Sequence, residues 1–497
     1  MLKARKGYLN FLLLVTAFLL LAGLLGCSRE PKRAEFVLVS RMMDIQDKWF
    51  RANLVQSFEE QCRCRIVVSQ FDRVWDLEKI LSLDRGSEKK ILLVKTPLQM
   101  MGVLRRAGLI APFNDFVPAQ ELAPALNEYD PIALRMGSLD DKLYYLPRKL
   151  ETRIMIFLKS KVAEAQRNWQ KFRPELDAAL KEDNGFGLPR GYRLEADPNL
   201  WDYYDVFVAG YYWANTPYHG IRLARIGHRG RRYEGTVQGL FDRALQLGAD
   251  VEDLLMMDAR SVREMMVWEA VYKKHGIYNP AIWQEGWSGG GIWNAMKDGK
   301  VFLAWMHQID AFFIHGGSSP QMQGFLKQPD DLGFAIMPLG VSFSLDKAGR
   351  SKWSGSRRAT TTGWGWGVPS YFARPELSWR LARFITSYAH HLEESRTFGM
   401  MPVRKDILKD VNQAFPEEWM RRLFNISYRQ LALNGPESLF VLPNFGDFGK
   451  NYLDAWYYIV VEGNYGKKGK VERDFIKDQI RQRFLKRQKQ IRAASGL

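Results

Sequence analysis

The chain is poor in cysteine, in acidic residues relative to basic ones, and in long hydrophobic runs. Three Cys among 497 residues exclude a disulfide framework as the basis of the fold. Asp and Glu number 55 against 72 Lys and Arg, which gives a formal net charge of +17. A hydrophobic content of 46% nevertheless excludes a disordered chain. At roughly 150 residues per domain, the length predicts two to three domains or one large two-lobed fold.

A hydrophobic run at residues 11–25 follows three basic residues near the N-terminus. The run is short for a membrane span of about 20 residues, and it ends in Leu-Leu-Gly-Cys27, which resembles a bacterial lipobox. An ordinary signal peptide or an N-terminal anchor helix is the alternative. We therefore predict a lipoprotein signal peptide over residues 1–26, a lipid (diacylglycerol and palmitate) on Cys27, and a lipid-anchored linker over 27–34.

No later stretch is apolar enough to span a bilayer. We therefore expect the folded part outside the cytoplasm, tethered to a bacterial membrane at the periplasmic face or the cell surface. Much of the positive charge lies in residues 222–232 and in the tail 467–492. The tail has apolar residues at helical spacing, which predicts an amphipathic helix with a solvated basic face. Because no nucleic-acid-binding motif accompanies the charge, we predict no nucleic-acid partner.

The other two cysteines, Cys62 and Cys64, are separated by a single residue. A strand would place both side chains on one face, and this short separation disfavours a disulfide between them. A metal site would need further ligands, and the first histidine of the chain is the distant His219. We therefore expect two buried free thiols or an intermolecular contact, and we expect no metal and no cofactor.

Short β-type runs alternate with helical patterns near the start of the folded chain. Apolar runs at residues 36–39, 66–68 and 91–94 predict buried strands with helices between them. This βαβαβ order predicts a parallel sheet with helices on both faces. Ligands bind beyond the carboxyl ends of such strands, so residues 40–44 and 95–98 are the first candidates for a site.

Later parts of the chain also contain strand and helix patterns. Apolar runs predict strands at residues 143–147 and 154–158. Residues 333–337 and 362–369 are predicted to form a strand pair around a polar loop. The region between residues 158 and 330 is mostly helical and aromatic, and we find no internal repeat.

Aromatic residues, 13% of the chain, are the strongest positive signal. Trp364 and Trp366 alternate with glycines at strand period, which predicts that both indoles face the same side. Trp287 precedes three glycines at the start of a predicted helix, where the backbone could approach a ligand. Burial in the core is the alternative for Trp364 and Trp366, and a plain loop with a helix start is the alternative for the segment after Trp287. Exposed rings of this kind stack on the apolar faces of sugars.

Catalytic motifs are missing from the sequence. It contains no His-Glu-x-x-His, no Walker loop and no Gly-x-Ser-x-Gly. A glycosidase would need two carboxylates about 5–10 Å apart across a cleft, which a sequence does not display. We therefore predict that the chain is not an enzyme, with an exported carbohydrate-active enzyme that uses a carboxylate pair as an alternative.

Five segments resemble, in family order, the family 1 extracellular solute-binding proteins, the sugar-binding components of ABC importers akin to maltose-binding protein. They are residues 107–116 (AGLIAPFNDF), 141–147 (DKLYYLP), 292–305 (IWNAMKDGKVFLAW), 331–338 (DLGFAIMP) and 401–405 (MPVRK). Each segment is degenerate, but the five in order are specific. Arg148 and Lys149 follow Pro147 where the family usually has small polar residues, which casts doubt on a neutral sugar.

The resemblance implies an α/β fold of the periplasmic-binding-protein type II, with two lobes that close on a ligand by hinge rotation. Each lobe would be a mixed sheet flanked by helices, and hinge strands would join the two. Lobe 1 is expected over residues 35–150 plus about 366–410, and lobe 2 over about 151–365 plus 411–497.

Cleft-facing positions are expected at the strand ends, at the hinge and on aromatic segments of lobe 2. The candidate ligand-binding residues are Arg41, Asp44, Lys95, Thr96, Arg148, Glu151, Trp201, Tyr204, Trp287, Trp305, Gln308, Asp310, Trp364 and Trp366. The rings would stack on the ligand, and the charged and amide groups would bind its hydroxyls, or a carboxylate or phosphate.

The resemblance implies a monomeric, lipid-anchored receptor that delivers a carbohydrate, neutral, acidic or phosphorylated, to ABC permease subunits. A non-transporting sensor lipoprotein with the same fold is a further alternative.

Overall fold

The computed structural model describes residues 33–87, 90–218, 221–222, 226–316, 326–435, 438, 442 and 444–496. The predicted signal peptide, the lipidation site Cys27 and most of the predicted linker lie outside the described residues. Within those residues, no helix combines the length and the hydropathy needed to cross a bilayer.

The structure has a strand at or close to each of the seven predicted apolar runs, and further short strands that the runs did not indicate. They are β1 (Glu35–Ser40), β2 (Arg65–Gln70), β3 (Ile91–Pro97), β4 (Ile110–Ala111), β5 (Ser138–Leu139), β6 (Lys142–Leu143), β7 (Tyr145–Glu151), β8 (Arg153–Leu158), β9 (Pro217–Tyr218), β10 (Ile221–Arg222), β11 (Ile226–Gly227), β12 (Leu303–His307), β13 (Leu332–Ala335) and β14 (Thr362–Pro369).

Helices occupy most of the remaining chain. The α-helices are α1 (Asp44–Phe50), α2 (Gln56–Cys62), α3 (Leu77–Asp84), α4 (Met101–Arg106), α5 (Ala119–Leu126), α6 (Pro131–Gly137), α7 (Lys159–Asn168), α8 (Arg173–Asn184), α9 (Tyr203–Asn215), α10 (Glu234–Gln246), α11 (Val251–Met256), α12 (Arg260–Lys274), α13 (Ala281–Gln284), α14 (Gly289–Lys297), α15 (Gln308–His315), α16 (Pro375–Ile385), α17 (Tyr388–Phe398), α18 (Lys405–Leu408), α19 (Val411–Ala414), α20 (Glu418–Asn434), α21 (Phe445–Trp456), α22 (Arg473–Gln479) and α23 (Leu485–Ala494). Single π-helical turns follow α1, α21 and α22, at Arg51–Val55, Tyr457–Val461 and Ile480–Phe484.

The first sheet has the strand order β2-β1-β3-β14-β4, and β7 also pairs with β14. β1 runs parallel to both β2 and β3, with helices between them along the chain. The predicted βαβαβ unit is therefore confirmed. β14 runs antiparallel to β3, β4 and β7, which makes the sheet mixed.

The second sheet has the order β11-β12-β8-β13. β8 runs antiparallel to β12 and β13 on its two sides. Both strands predicted around the polar loop exist, but β13 lies in the second sheet and β14 in the first, so the predicted strand pair is wrong. The sequence pattern of two apolar strands that flank a loop is the same whether the strands pair with each other or lie in separate sheets.

The chain passes between the two sheets at Thr152, which separates β7 from β8, and again just before β14. The buried side chain of Asn434 joins both crossings. Its Nδ2 donates hydrogen bonds to Thr152 Oγ1 at 2.9 Å and to Thr361 Oγ1 at 3.0 Å. Its Oδ1 accepts hydrogen bonds from the Ala359 backbone N–H and from Gln430 Nε2. Two mixed sheets, flanked by helices and joined by hinge segments, form the two-lobed α/β fold that was predicted.

The glycines of β14 make room for protein rather than for a ligand. A Cβ on Gly363 would lie 2.1 Å from Met136 Sδ and 2.3 Å from the Lys149 carbonyl oxygen. A Cβ on Gly365 would lie 2.7 Å from Tyr145 Cβ. These distances are shorter than van der Waals contact, so β7 could not approach β14 this closely if side chains stood at these positions.

Cys62 and Cys64 form a disulfide, with their Cα atoms 5.2 Å apart. The expectation of free thiols is therefore wrong. Cys62 is the last residue of α2, and Arg63 adopts a left-handed conformation at φ 53°. This residue turns the chain from the helix into β2, so the two cysteines do not lie on a common strand, and their separation falls within the normal disulfide range.

Thiol counting tests this pairing. Alkylation of the unfolded protein without reductant should leave Cys62 and Cys64 unmodified, and alkylation after reduction should modify both, as read from peptide masses. Cys64→Ser should expose Cys62 to the reagent without reductant. Two modified cysteines in the unreduced protein would contradict the disulfide.

Candidate ligand-binding site

A cavity of about 440 Å³ lies between the two sheets, at the ends of their strands. Its first side is formed by the segment after β1, the end of β3 and neighbouring residues, and its second side by residues 229–238, 288–293 and 307–313. The hinge strands β7 and β14 contribute lining residues between these two sides of the cavity. The lining residues are Arg41, Met42, Met43, Gln46, Val74, Lys95, Pro97, Gln99, Lys149, Glu151, Arg229, Tyr233, Glu234, Gly235, Gln238, Ser288, Gly289, Gly290, Trp293, His307, Ile309, Asp310, Phe313, Thr362, Gly363 and Trp364.

A larger groove of about 690 Å³ lies elsewhere on the surface. It is lined by helices packed against the first sheet, with Trp379, Arg383 and Tyr388 among its residues. No residue from the second sheet contributes to it. The smaller cavity is the better candidate because both lobes and both hinge strands supply its polar and aromatic groups.

Five of the residues predicted from the sequence line the cavity: Arg41, Lys95, Glu151, Asp310 and Trp364. Arg41 directly follows β1, and Lys95 lies near the end of β3. Glu151 ends β7, and Trp364 lies early in β14. Asp310 lies in the first turn of α15, directly after β12. Each of them therefore lies near one end of a strand.

The other polar candidates lie outside the lining. Asp44 is exposed at the start of α1. Thr96 and Arg148 are fully buried, and Arg148 pairs with the buried Glu394. Gln308 is fully buried, and its Nε2 donates a hydrogen bond to the Leu150 carbonyl oxygen. The side chains of Arg148 and Gln308 therefore hold neighbouring elements in place.

The remaining aromatic candidates belong to the core. Trp201 and Tyr204 have no exposed surface. Their polar atoms donate hydrogen bonds to the carbonyl oxygens of Glu195 and Phe343. The indole N–H of Trp201 and the hydroxyl of Tyr204 are therefore hydrogen-bonded inside the second lobe, and neither residue lines the cavity.

Trp287, Trp305 and Trp366 are also buried. Trp287 Nε1 donates a hydrogen bond to Glu285 Oε2 at 2.8 Å. The ring of Trp305 lies 5.2 Å from the Arg243 guanidinium carbon. Trp366 stacks on Phe50 with ring centroids 5.9 Å apart.

Ion pairs hold most of the charged groups that line the cavity. Lys149 Nζ donates a short hydrogen bond to Glu151 Oε1, and both side chains are nearly inaccessible. Burial raises the pKa of Glu151, but Lys149, Arg229 and Lys95 outweigh it and hold that pKa below its ordinary value. Glu151 is therefore an ionised acceptor rather than a proton donor at neutral pH.

Two further ion pairs involve residues 229–238. Arg229 Nη2 donates to Asp310 Oδ2 at 2.9 Å, within the second lobe. Arg41 Nη1 donates to Glu234 Oε1 at 2.6 Å. Arg41 follows the first sheet and Glu234 begins α10 of the second lobe, so this pair joins the two sides of the cleft directly.

Two tryptophans present partly exposed rings to the cavity. Trp364 Nε1 donates a hydrogen bond to Glu151 Oε2 at 3.2 Å. Trp293 stacks on Phe313 with ring centroids 4.6 Å apart, and its Nε1 donates to Asp310 Oδ1 at 3.1 Å. Each indole is therefore fixed by a carboxylate of the site.

The start of α14 also borders the cavity through Ser288, Gly289 and Gly290. The first N–H groups of a helix have no partner within the helix, so they are donors available to a ligand. A Cβ on Gly289 would lie 3.0 Å from both Asp310 Oδ1 and the Trp293 ring. The glycine therefore allows the helix start to approach these two side chains.

His307 completes the floor of the cavity. Burial, together with Arg153, Arg229 and Lys149, lowers its pKa well below the ordinary value. The ring is therefore neutral, and its Nε2 has no hydrogen-bond partner among the described residues.

A family comparison identifies the class of the protein. Residues 53–419 match the model of the bacterial extracellular solute-binding proteins. The chain belongs to this family. A solute-binding protein of this kind works outside the cytoplasm, and its family consists of binding proteins rather than enzymes. No curated protein sequence matches this solute-binding protein.

Solved structures share the fold of this solute-binding protein at low sequence identity. MalE3 of T. maritima, bound to maltose, is 14% identical with a TM-score of 0.65, over 93% of this chain and 100% of the other. A solute-binding protein of an ABC transporter from Thermotoga lettingae, bound to α-D-tagatose, has the same identity and TM-score over 92% and 100%. One from Agrobacterium radiobacter, bound to ribitol, is 14% identical with a TM-score of 0.64, over 94% and 100%. These matches confirm the two-lobed fold.

The sequence reasoning missed several lining residues of this solute-binding protein. Trp293 lies in the same short segment as Trp287, two residues after the last of the three glycines, so the segment had drawn attention to it. Lys149 was noted with Arg148 as an indication of the charge of the ligand, but only Arg148 was among the candidate site residues. Arg229, Tyr233 and Glu234 follow β11, a strand of only two residues that leaves no periodic signal.

Removing the charge of Glu151 tests the ion pairs of the cleft. Glu151→Gln leaves the buried Lys149 ammonium without its carboxylate, which should lower the free energy of unfolding by about 3–5 kcal/mol in urea titrations. Asp115→Asn is the control, since it removes the carboxylate of an exposed pair with Lys142 and should barely move the midpoint. Equal effects of the two changes would contradict the buried pair.

Proposed function

We propose that this solute-binding protein is the substrate-binding component of a bacterial ABC importer and that it binds a carbohydrate in the cleft between its lobes. The observation that carries this proposal is the pairing of Trp364 with Glu151 and of Trp293 with Asp310 at the cavity surface. Each pair presents an aromatic face next to a fixed acceptor, which suits the apolar face and the hydroxyl groups of a sugar.

The dimensions and the donors of the cavity support a small polar ligand. Its volume of about 440 Å³ lies within the range of roughly 300–1,000 Å³ found for small-molecule pockets. Backbone N–H groups at the start of α14 add donors for hydroxyl oxygens. The ligands named for the structural neighbours, maltose, α-D-tagatose and ribitol, are all sugars or polyols.

Closure by rotation of the lobes is part of the proposal. We place the lobes at residues 35–150 plus about 366–410 and at about 151–365 plus 411–497. The Arg41–Glu234 pair supports a closed state because its atoms come from opposite sides of the cleft. We propose that the protein acts as a monomer.

The membrane attachment of the protein is proposed from the sequence alone. Cleavage after residue 26 and lipidation of Cys27 would tether the protein beside the permease subunits that receive the ligand. The lipobox-like Leu-Leu-Gly-Cys27 supports this proposal.

Ligand screening tests the proposed function. Mono- and oligosaccharides, sugar acids and polyols should be tested for a rise in melting temperature, since a ligand that binds only the folded state adds about 2.7 kcal/mol of stability at 100 times Kd. For a ligand found in this way, Trp364→Ala and Trp293→Ala should each weaken binding by roughly tenfold or more in calorimetry.

Trp353→Ala is the matched control, because Trp353 is half-buried and lies outside the cavity lining. It should leave the affinity unchanged. A screen in which no carbohydrate stabilises the protein, or equal losses in all three variants, would contradict the proposal.

A further inference from the structure

The ammonium group of Lys95 is a buried charge at the cavity surface. The residue is 2% exposed and lines the cavity. Its Nζ donates one hydrogen bond, to the Arg41 backbone carbonyl oxygen at 2.6 Å. The same atom lies 4.8 Å from the centroid of the Trp364 ring. A dipole and an aromatic face are the only partners that the described residues give this group at short range.

The other cations of the lining each have a carboxylate. Arg41 pairs with Glu234, Lys149 with Glu151, and Arg229 with Asp310. Among the described lining residues, four cationic side chains therefore face three carboxylates, and Lys95 is the one without an ion-pair partner. When all four side chains are protonated, the excess positive charge of the cavity therefore lies at the Lys95 ammonium group.

Leaving such a charge unpaired is unfavourable in a buried site. Burial lowers the pKa of Lys95 well below its ordinary value, and the positive charges of Arg148 and Lys149 lower it further, while the carboxylates of Glu394 and Glu151 act in the opposite direction without outweighing them. An anion placed in the cavity would supply the missing counter-charge and restore the charged ammonium. The charge of Glu151 reaches Lys95, but Glu151, like Glu234 and Asp310, already pairs with a cation of its own, which reduces the repulsion of an incoming anion near Lys95.

We propose that the ligand is an anionic carbohydrate, a sugar acid or a sugar phosphate, whose anionic group pairs with Lys95. This inference rests on the proposed carbohydrate binding and narrows it to one charge class. The anion would lie beside the indole of Trp364, because Lys95 is in contact with that ring. The uncharged part of the sugar would then extend over the rings of Trp364 and Trp293, towards the start of α14.

Matched ligand pairs test the charge class. Titration calorimetry on the purified protein would compare D-galacturonate with D-galactose, D-glucuronate with D-glucose, and D-glucose 6-phosphate with D-glucose. We expect at least one acid to bind roughly tenfold or more tightly than its neutral parent. Comparison of the uronate pairs with the phosphate pair shows whether the cavity prefers a carboxylate or a phosphate group.

Substitution of Lys95 tests the residue itself. Lys95→Met keeps the apolar stem and should weaken binding of the acid by roughly 10- to 100-fold, while Lys95→Arg should retain preference for the acid. Lys79→Met is the matched control: it removes the same charge from an exposed position on α3 and should change nothing. If Lys95→Met fails to fold, Lys95→Gln and the ligand pairs on the unmodified protein decide the question.

The outcomes separate this inference from the proposed function. Neutral sugars that bind as tightly as their acids, or an acid that binds Lys95→Met unchanged, would overturn the inference and leave carbohydrate binding intact. Failure of every sugar, neutral or acidic, to bind would overturn the proposed function and the inference together.

Discussion

The cleft depends on the hydrogen bonds of Asn434, a fully buried side chain at the end of α20. One amide group holds Thr152, which separates β7 from β8, and Thr361, which directly precedes β14. Because β7 and β14 pair with each other in the first sheet, fixing their ends fixes Glu151 and Trp364 as well. A buried, fully bonded amide of this kind favours one arrangement of the chain, since any other would leave its donors unpaired.

The two lobes form opposite walls of the cleft, on either side of this hinge. The walls carry complementary charges where Arg41 of one faces Glu234 of the other. Within each wall, carboxylates hold the indoles of Trp364 and Trp293 in place, and cations hold the carboxylates. Between the walls, the Arg41–Glu234 pair is the direct link that the lining shows. These contacts hold the side chains of the site in place within each lobe, and the proposed closure would bring the two sets together around the ligand.

The sequence predicted the parts of this structure that depend on local pattern. Buried strands such as β1 and β3 are continuous apolar runs, and residues at their ends, Arg41 and Lys95, could be placed at the cleft from topology alone. The pattern of β14 placed the indoles of Trp364 and Trp366 on the same side of the strand, but it could not reveal that Phe50 covers Trp366 while Trp364 lines the cavity. Aromatic residues in a core and in a sugar site have the same spacing, so Trp201 and Tyr204 looked like ligand contacts.

Other features depend on contacts between residues far apart in the chain. Arg41 and Glu234 are separated by 193 positions, and no local pattern connects them. The disulfide was missed for a different reason, since a single left-handed residue, Arg63, changes the direction of the chain between the two cysteines. Such a conformation is uncommon outside glycine, so a sequence pattern does not indicate it.

In the proposed closed state, both lobes hold the ligand at once. Hydrogen exchange measured by mass spectrometry, with and without a saturating carbohydrate, tests it directly. We expect peptides covering residues 41–46 and 95–99 on one side, and 229–238 and 288–293 on the other, to gain protection together. Protection confined to one of these sides, or to the groove around Trp379 and Arg383, would contradict it.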